Sequence, residues 1–247
     1  MKKLCVMLAL VILAAGQVNA YEDFSTYTEV GEELTLSGDD NEIYTWWMNG
    51  TIDCGLYKSF GAGYFTSTFT HTFETRCNYS SSSTSPETIV WGVTDGPYTR
   101  AAIDTANVGV GLRWDRIDAA PGAYYLKLMD WNGNVEDTML LAEDTWYWMK
   151  IVGNGTTVTA LAYPSDADRT AGTSLVDSVV ITLTDNSDSY STFLSFGGDY
   201  GGNNNNVGGV SQNYDLGGAA PAATAAQIFS VEPRPLSPMV NGWEVLP

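Results

Sequence analysis

The chain has 247 residues, with 29 acidic against 11 basic side chains and a net charge of −18. Such a surface repels phosphate backbones and anionic lipid, which argues against nucleic-acid and membrane partners and leaves carboxylates for divalent cations. The length suits one large all-β domain with a substantial core.

The first twenty residues read as a secretory signal peptide. Lys2-Lys3 is a positive n-region, Leu4 to Ala15 is apolar, and Val18-Asn19-Ala20 is a small-residue cleavage site before Tyr21. Removing it leaves nine basic against 29 acidic groups, a net charge of −20. No later stretch reaches the roughly 18–20 apolar residues of a membrane span. A secreted, extracytoplasmic protein without membrane insertion is expected. Two cysteines remain, Cys54 and Cys77. In an exported protein they invite a disulfide, with two separate buried thiols as the alternative.

Tyr21 to Ser37 predicts two short strands broken at Gly31. Glu42 to Met48 is apolar and ends at the turn dipeptide Asn49-Gly50. The chain is organised around Leu56 to Thr75. There an apolar run meets Gly61-Ala62-Gly63, two glycines suited to a tight reversal. Strict alternation follows. Phe65, Ser67, Phe69, His71 and Phe73 fall on one face; Thr66, Thr68, Thr70, Thr72 and Glu74 fall on the other. That is the period of a half-buried strand.

Residues 78–86 form a serine-rich loop, and Ile89 to Val93 a strand. Val108 to Asp115 alternates, with Gly109, Gly111, Arg113 and Asp115 facing out. Tyr124 to Trp131 and Asn134 to Leu141 flank Asn132-Gly133. Trp146 to Gly153 and Thr156 to Tyr163 flank Asn154-Gly155. Both dipeptides signal two-residue hairpins. Asp166 to Thr173 reads as a polar loop. Val179 to Thr184, Tyr190 to Phe196 and Val210 to Leu216 read as strands. An Ala/Pro-rich linker and tail occupies 219–247. Recurrent strands with turn signals and no helical period indicate an all-β sandwich or barrel.

YEDFSTYTEV, YKSFGAGYFTSTFTHTFE, YPSDADRT followed by VVITL, and a terminal YDLGG resemble concanavalin A-like lectin/glucanase (laminin G-like) domains of the environmental bacterial and phage type. The resemblance covers roughly Tyr21 to Gly217. It implies a jelly-roll β-sandwich of two antiparallel sheets over 21–218, a glycan or polysaccharide partner, and no catalytic residues.

The residues themselves carry little catalytic chemistry. Glucanases need carboxylates at period-2 spacing on one strand, and no such run occurs. Asp166 and Asp168 have that spacing but fall in a predicted loop. His71, the sole histidine, shares a face with Phe69 and Phe73 and reads as a core residue. No G-x-S-x-G elbow and no cysteine–histidine metal spacing is present.

Aromatic residues are more informative. Lys127 marks one face of its strand as the solvent side, which places Tyr125, Met129 and Trp131 there too. Tyr125 and Trp131 bordered by Arg113 and Asp115 would suit a sugar, whose CH faces stack and whose hydroxyls pair with charged groups. Ordinary strand aromatics covered by loops are the alternative. Trp146, Trp148 and Tyr163 share a face with Lys150 and read more readily as core. No cofactor is required. A structural Ca²⁺ held by Glu22, Asp23 and Asp215 is the metal expected where first and last strands meet, with Asn203 to Asn206 as a second place. Three readings stand: a non-catalytic glycan-binding or adhesion module, a glycoside hydrolase or polysaccharide lyase with a non-standard site, and a structural surface or virion component.

Overall fold

The computed structural model describes residues 21–217, except 32–34, 38–42, 50–52, 62–63, 66–67, 81–86, 100–101, 104–108, 117–121, 132–134, 185–189, 196 and 200–205. The expected leader, the tail at 219–247, the Asn132-Gly133 dipeptide and Asn203 to Asn205 lie outside the described residues.

Two antiparallel sheets form the jelly-roll sandwich. The first contains β1 (Thr28–Gly31), β4 (Cys54–Ser59), β6 (Glu87–Thr94), β7 (Gly109–Arg116), β8 (Ala123–Asp130), β9 (Val135–Ala142), β13 (Thr192–Ser195) and β14 (Gly197–Asp199). Its order is β1-β4-β13-β6-β7-β8-β9, with β14 also on β6. The second contains β2 (Thr35–Ser37), β3 (Ile43–Asn49), β5 (Thr68–Ser80), β10 (Tyr147–Asn154), β11 (Thr157–Tyr163), β12 (Asp177–Thr182) and β15 (Asn206–Asp215). Its order is β12-β11-β10-β5-β15-β3-β2.

The alternation in β5 does what its period dictates. Phe69, His71 and Phe73 are buried, while Thr68 and Thr70 are exposed and Thr72 is half-buried. The strand starts at Thr68 rather than Phe65, although Phe65 is still buried. Trp91, Trp114, Leu126 and Leu128 of the first sheet meet Phe73, Met149, Ile151 and Tyr214 of the second in one core. Each such side chain contributes roughly 1.5–3 kcal/mol by leaving water. Buried polar atoms link the layers. Trp114 Nε1 donates to Thr75 Oγ1 at 3.2 Å, and that hydroxyl meets Ser211 Oγ at 2.9 Å.

Three expectations are corrected. The Cys54–Cys77 disulfide is not formed; both are buried thiols. Cys54 lies in one sheet and Cys77 in the other, and packed sheets stand about 10 Å apart, beyond a disulfide's Cα reach. Cys77 Sγ instead donates to Gly208 O. Residues 166–171 are not loop but a helix, α1 (Asp166–Ala171). Ser165 caps it by accepting from Asp168 N, and Gly172 ends it at φ 68°, where a Cβ would be strained. Finally, a 3-10 turn at Phe24–Thr26 precedes β1, so the first predicted strand shortens.

At one corner, edge strands from the two sheets meet. Val180 N on β12 donates to Asp137 Oδ2 on β9 at 3.2 Å.

Candidate functional site

The outer face of the first sheet carries the polar constellation. In β7 and β8 the residues Leu112, Trp114, Leu126 and Leu128 point into the core, so Arg113, Asp115, Tyr125 and Lys127 point the other way. Pairing sets Arg113 directly opposite Lys127 and Asp115 opposite Tyr125. Two cations placed opposite each other repel. Asp115 Oδ2 resolves this by meeting Arg113 Nη2 at 3.3 Å and Lys127 Nζ at 2.8 Å. Lys127 also reaches Glu136 Oε2 at 3.8 Å. Arg113 and Asp115 are buried, whereas Lys127 and Glu136 retain 22% and 47% side-chain exposure. The accessible strip is therefore Tyr125, Lys127, Glu136, Thr138 and Leu140.

Hairpin register brings this strip together. Tyr125 pairs with Leu140, Lys127 with Thr138, and Met129 with Glu136. A two-residue turn at Asn132-Gly133, as the sequence predicts, would set that same register. Glu136, Thr138 and Leu140 were thus locatable from the turn dipeptide, although sequence reasoning did not include them.

Trp131 is on the expected face but is not an open platform. Its side chain is 1% exposed and packs with Ile89 and Ile103, flanked by Tyr57 and Tyr98. It lies across Gly111, where an added Cβ would fall 2.1 Å from Trp131 Cη2. Arg113, Asp115 and Tyr125 therefore form one group, and Trp131 belongs to a neighbouring apolar cover. On the second sheet, Tyr163 is buried, while Trp146 and Trp148 are half-buried. The Arg76 guanidinium stands 5.1 Å from the Trp146 ring.

The calcium donors do not converge. Glu22 N bonds Tyr214 O, so the chain start does lie beside the last strand. The Glu22 carboxylate, however, takes Lys58 Nζ at 2.9 Å and Tyr27 Oη at 3.1 Å. Asp23 accepts from Ser25, and Asp215 from Gly217 N. Among the described residues no group of three or more His, Cys, Asp or Glu is placed to hold a metal ion.

His71 sits inside the core. Its Nδ1 accepts from Trp91 Nε1, and burial lowers its pKa to about 3. A histidine so placed stays neutral and out of reach of a substrate.

No protein-family model matches this chain, and no curated protein matches it. Solved structures do. The alginate lyase from Klebsiella pneumoniae aligns at a TM-score of 0.50 and 9% identity, over 76% of this chain and 85% of that one. An alginate lyase from Alteromonas sp. 272 aligns at 0.43 and 13%, over 77% and 92%. The binding domain of botulinum neurotoxin DC aligns at 0.43 and 12%, over 78% and 43%. At such identities likeness defines the fold, a two-sheet jelly roll, and nothing finer.

Proposed function

We propose that this protein is a secreted, non-catalytic polysaccharide-binding module, and that glycan lies along the outer face of the eight-stranded sheet. The observation that carries this reading is the strip of half-buried Tyr125, Lys127 and Thr138 beside exposed Glu136 and Leu140. It offers an aromatic ring for a sugar's CH face and, beside it, a cation, a hydroxyl and a carboxylate for its polar groups. The salt-bridged Arg113 and Asp115 hold Lys127 in place beneath that surface.

A second reading, a polysaccharide lyase, is supported by the fold: the Klebsiella protein that shares it is an alginate lyase. Against it, the sole histidine is enclosed in the core.

One experiment separates them. The secreted protein is run in affinity gels containing soluble alginates, glucans or galactans, and each polymer is also incubated with it in solution. Retardation by a polymer that Tyr125→Ala and Lys127→Ala both weaken, without polymer breakdown, supports the binding module. An ultraviolet-absorbing unsaturated uronate end appearing in solution would establish the lyase. Neither retardation nor breakdown of any polymer would overturn both glycan readings and leave a structural surface role.

A further inference from the structure

The opposite sheet carries a cleft of about 290 Å³. Its floor is a row across three adjacent strands. Lys150 on β10 pairs directly with Thr72 on β5, and Thr72 pairs with Asp215 on β15. Directly paired residues share a face, so an ammonium, a hydroxyl and a carboxylate stand in line. The two charges are two strands apart, about 9–10 Å at the backbone. That gap explains why they form no ion pair with each other. Thr70, two residues along β5, adds a second hydroxyl.

The walls are equally defined. On one side α1 supplies Asp166, Arg169 and Thr170. Arg169 pins that helix to the floor, donating to Phe73 O and Met149 O at 3.3 and 3.4 Å while pairing with Asp166. Its charge is spent on structure. On the other side stands Tyr21, 39% exposed and anchored through the Glu22–Tyr214 backbone bond. Lys150 is in no ion pair among the described residues, and it is half-buried. It is the side-chain cation left to a ligand, beside the α-ammonium that removal of the leader would give Tyr21.

We infer that this cleft binds a single sugar acid, a hexuronate residue, at a site separate from the glycan surface on the other sheet. The ligand carboxylate meets Lys150, its ring hydroxyls meet Thr70, Thr72 and Asp215, and its CH face lies against Tyr21. A neutral hexose would offer the Lys150 ammonium no anion and so forgo a charge-assisted contact. The inference stands on this cleft alone and does not need the polymer surface to be correct.

The test is ligand-observed NMR titration of the secreted protein with D-glucuronate, with D-glucose as the neutral control and melting curves for every variant. Glucuronate should bind at least about tenfold more tightly than glucose. Lys150→Met should remove that preference, and Thr72→Val, which keeps volume but loses the hydroxyl, should weaken it. Tyr125→Ala should titrate as the wild type does, whatever it does to polymer retardation. Equal binding of glucuronate and glucose, or full binding by a folded Lys150→Met, would overturn the inference. So would loss of glucuronate binding in Tyr125→Ala, which would place the ligand on the other sheet.

Discussion

Trp91 and His71 bridge the two sheets through one hydrogen bond, indole Nε1 to imidazole Nδ1 at 3.1 Å. The bond requires the neutral ring at Nδ1, and the surroundings enforce it: both residues are fully or almost fully buried.

Stability should therefore depend on pH in part through this group. Its folded pKa of about 3 lies below the ordinary histidine value of 6.5. Between those values the unfolded chain binds the extra proton, so this contribution is complete above about pH 6.5 and is lost as pH falls toward 3. The folding constant should fall up to about tenfold per pH unit in that window from His71 alone. His71→Gln keeps an acceptor for the indole but does not titrate. Urea melts between pH 4 and 7, on a scale set by the histidine window, should show a shallower slope in His71→Gln than in wild type. Equal slopes would show that His71 is not the group responsible.

Gly111 is expected to tolerate no side chain. An added Cβ would meet Trp131 at 2.1 Å and the Trp91 carbonyl oxygen at 2.9 Å. Gly111→Ala should cost about 1–3 kcal/mol by overpacking. Thermal melts should show the loss partly relieved in Gly111→Ala/Trp131→Ala, where only the backbone contact persists.

Asp115 matters more than Lys127. Asp115→Asn leaves Arg113 buried opposite Lys127 without the carboxylate between them. Losing that carboxylate takes a charge-assisted contact from both cations and should cost about 1.5–3 kcal/mol. Lys127→Met, which leaves Asp115 paired with Arg113, should cost less. A denaturant series that ranks Lys127→Met above Asp115→Asn in damage would contradict the geometry.

The thiols give a direct chemical count. Native protein should react slowly with a thiol reagent, because Cys54 and Cys77 are 0% and 1% exposed. Unfolded, unreduced protein should react at two thiols per chain. A count of none would restore the disulfide. A count of three would mean that Cys5 and its leader are retained.

The fold was legible where period and turn chemistry agree. The Phe/Thr alternation of β5 and the Asn-Gly dipeptides carry most of the topology, because side-chain direction in a strand follows from parity alone. The candidate site was legible only in part. Parity put Trp131 on the Lys127 face correctly, but it cannot show that Ile103 and Tyr98 cover that end of the face. Helix α1 was missed because six residues are too few to show a helical period, though Ser165 followed by Asp168 is a capping signature. The cleft was missed for another reason. Thr72, Lys150 and Asp215 are far apart in sequence, and only the strand order makes them neighbours.

The bond from Val180 to Asp137 has a meaning beyond the corner it closes. A sheet edge offers unpaired amides on which a second molecule can extend the ladder, the first step toward fibres. Here β9, itself an edge, supplies the acceptor to an edge amide of β12. The exposed Val180 side chain next to that amide would otherwise make the strand attractive to strangers. Asp137 thus acts as a gatekeeper, and a concentrated solution of Asp137→Ala should form aggregates sooner than wild type of equal melting temperature.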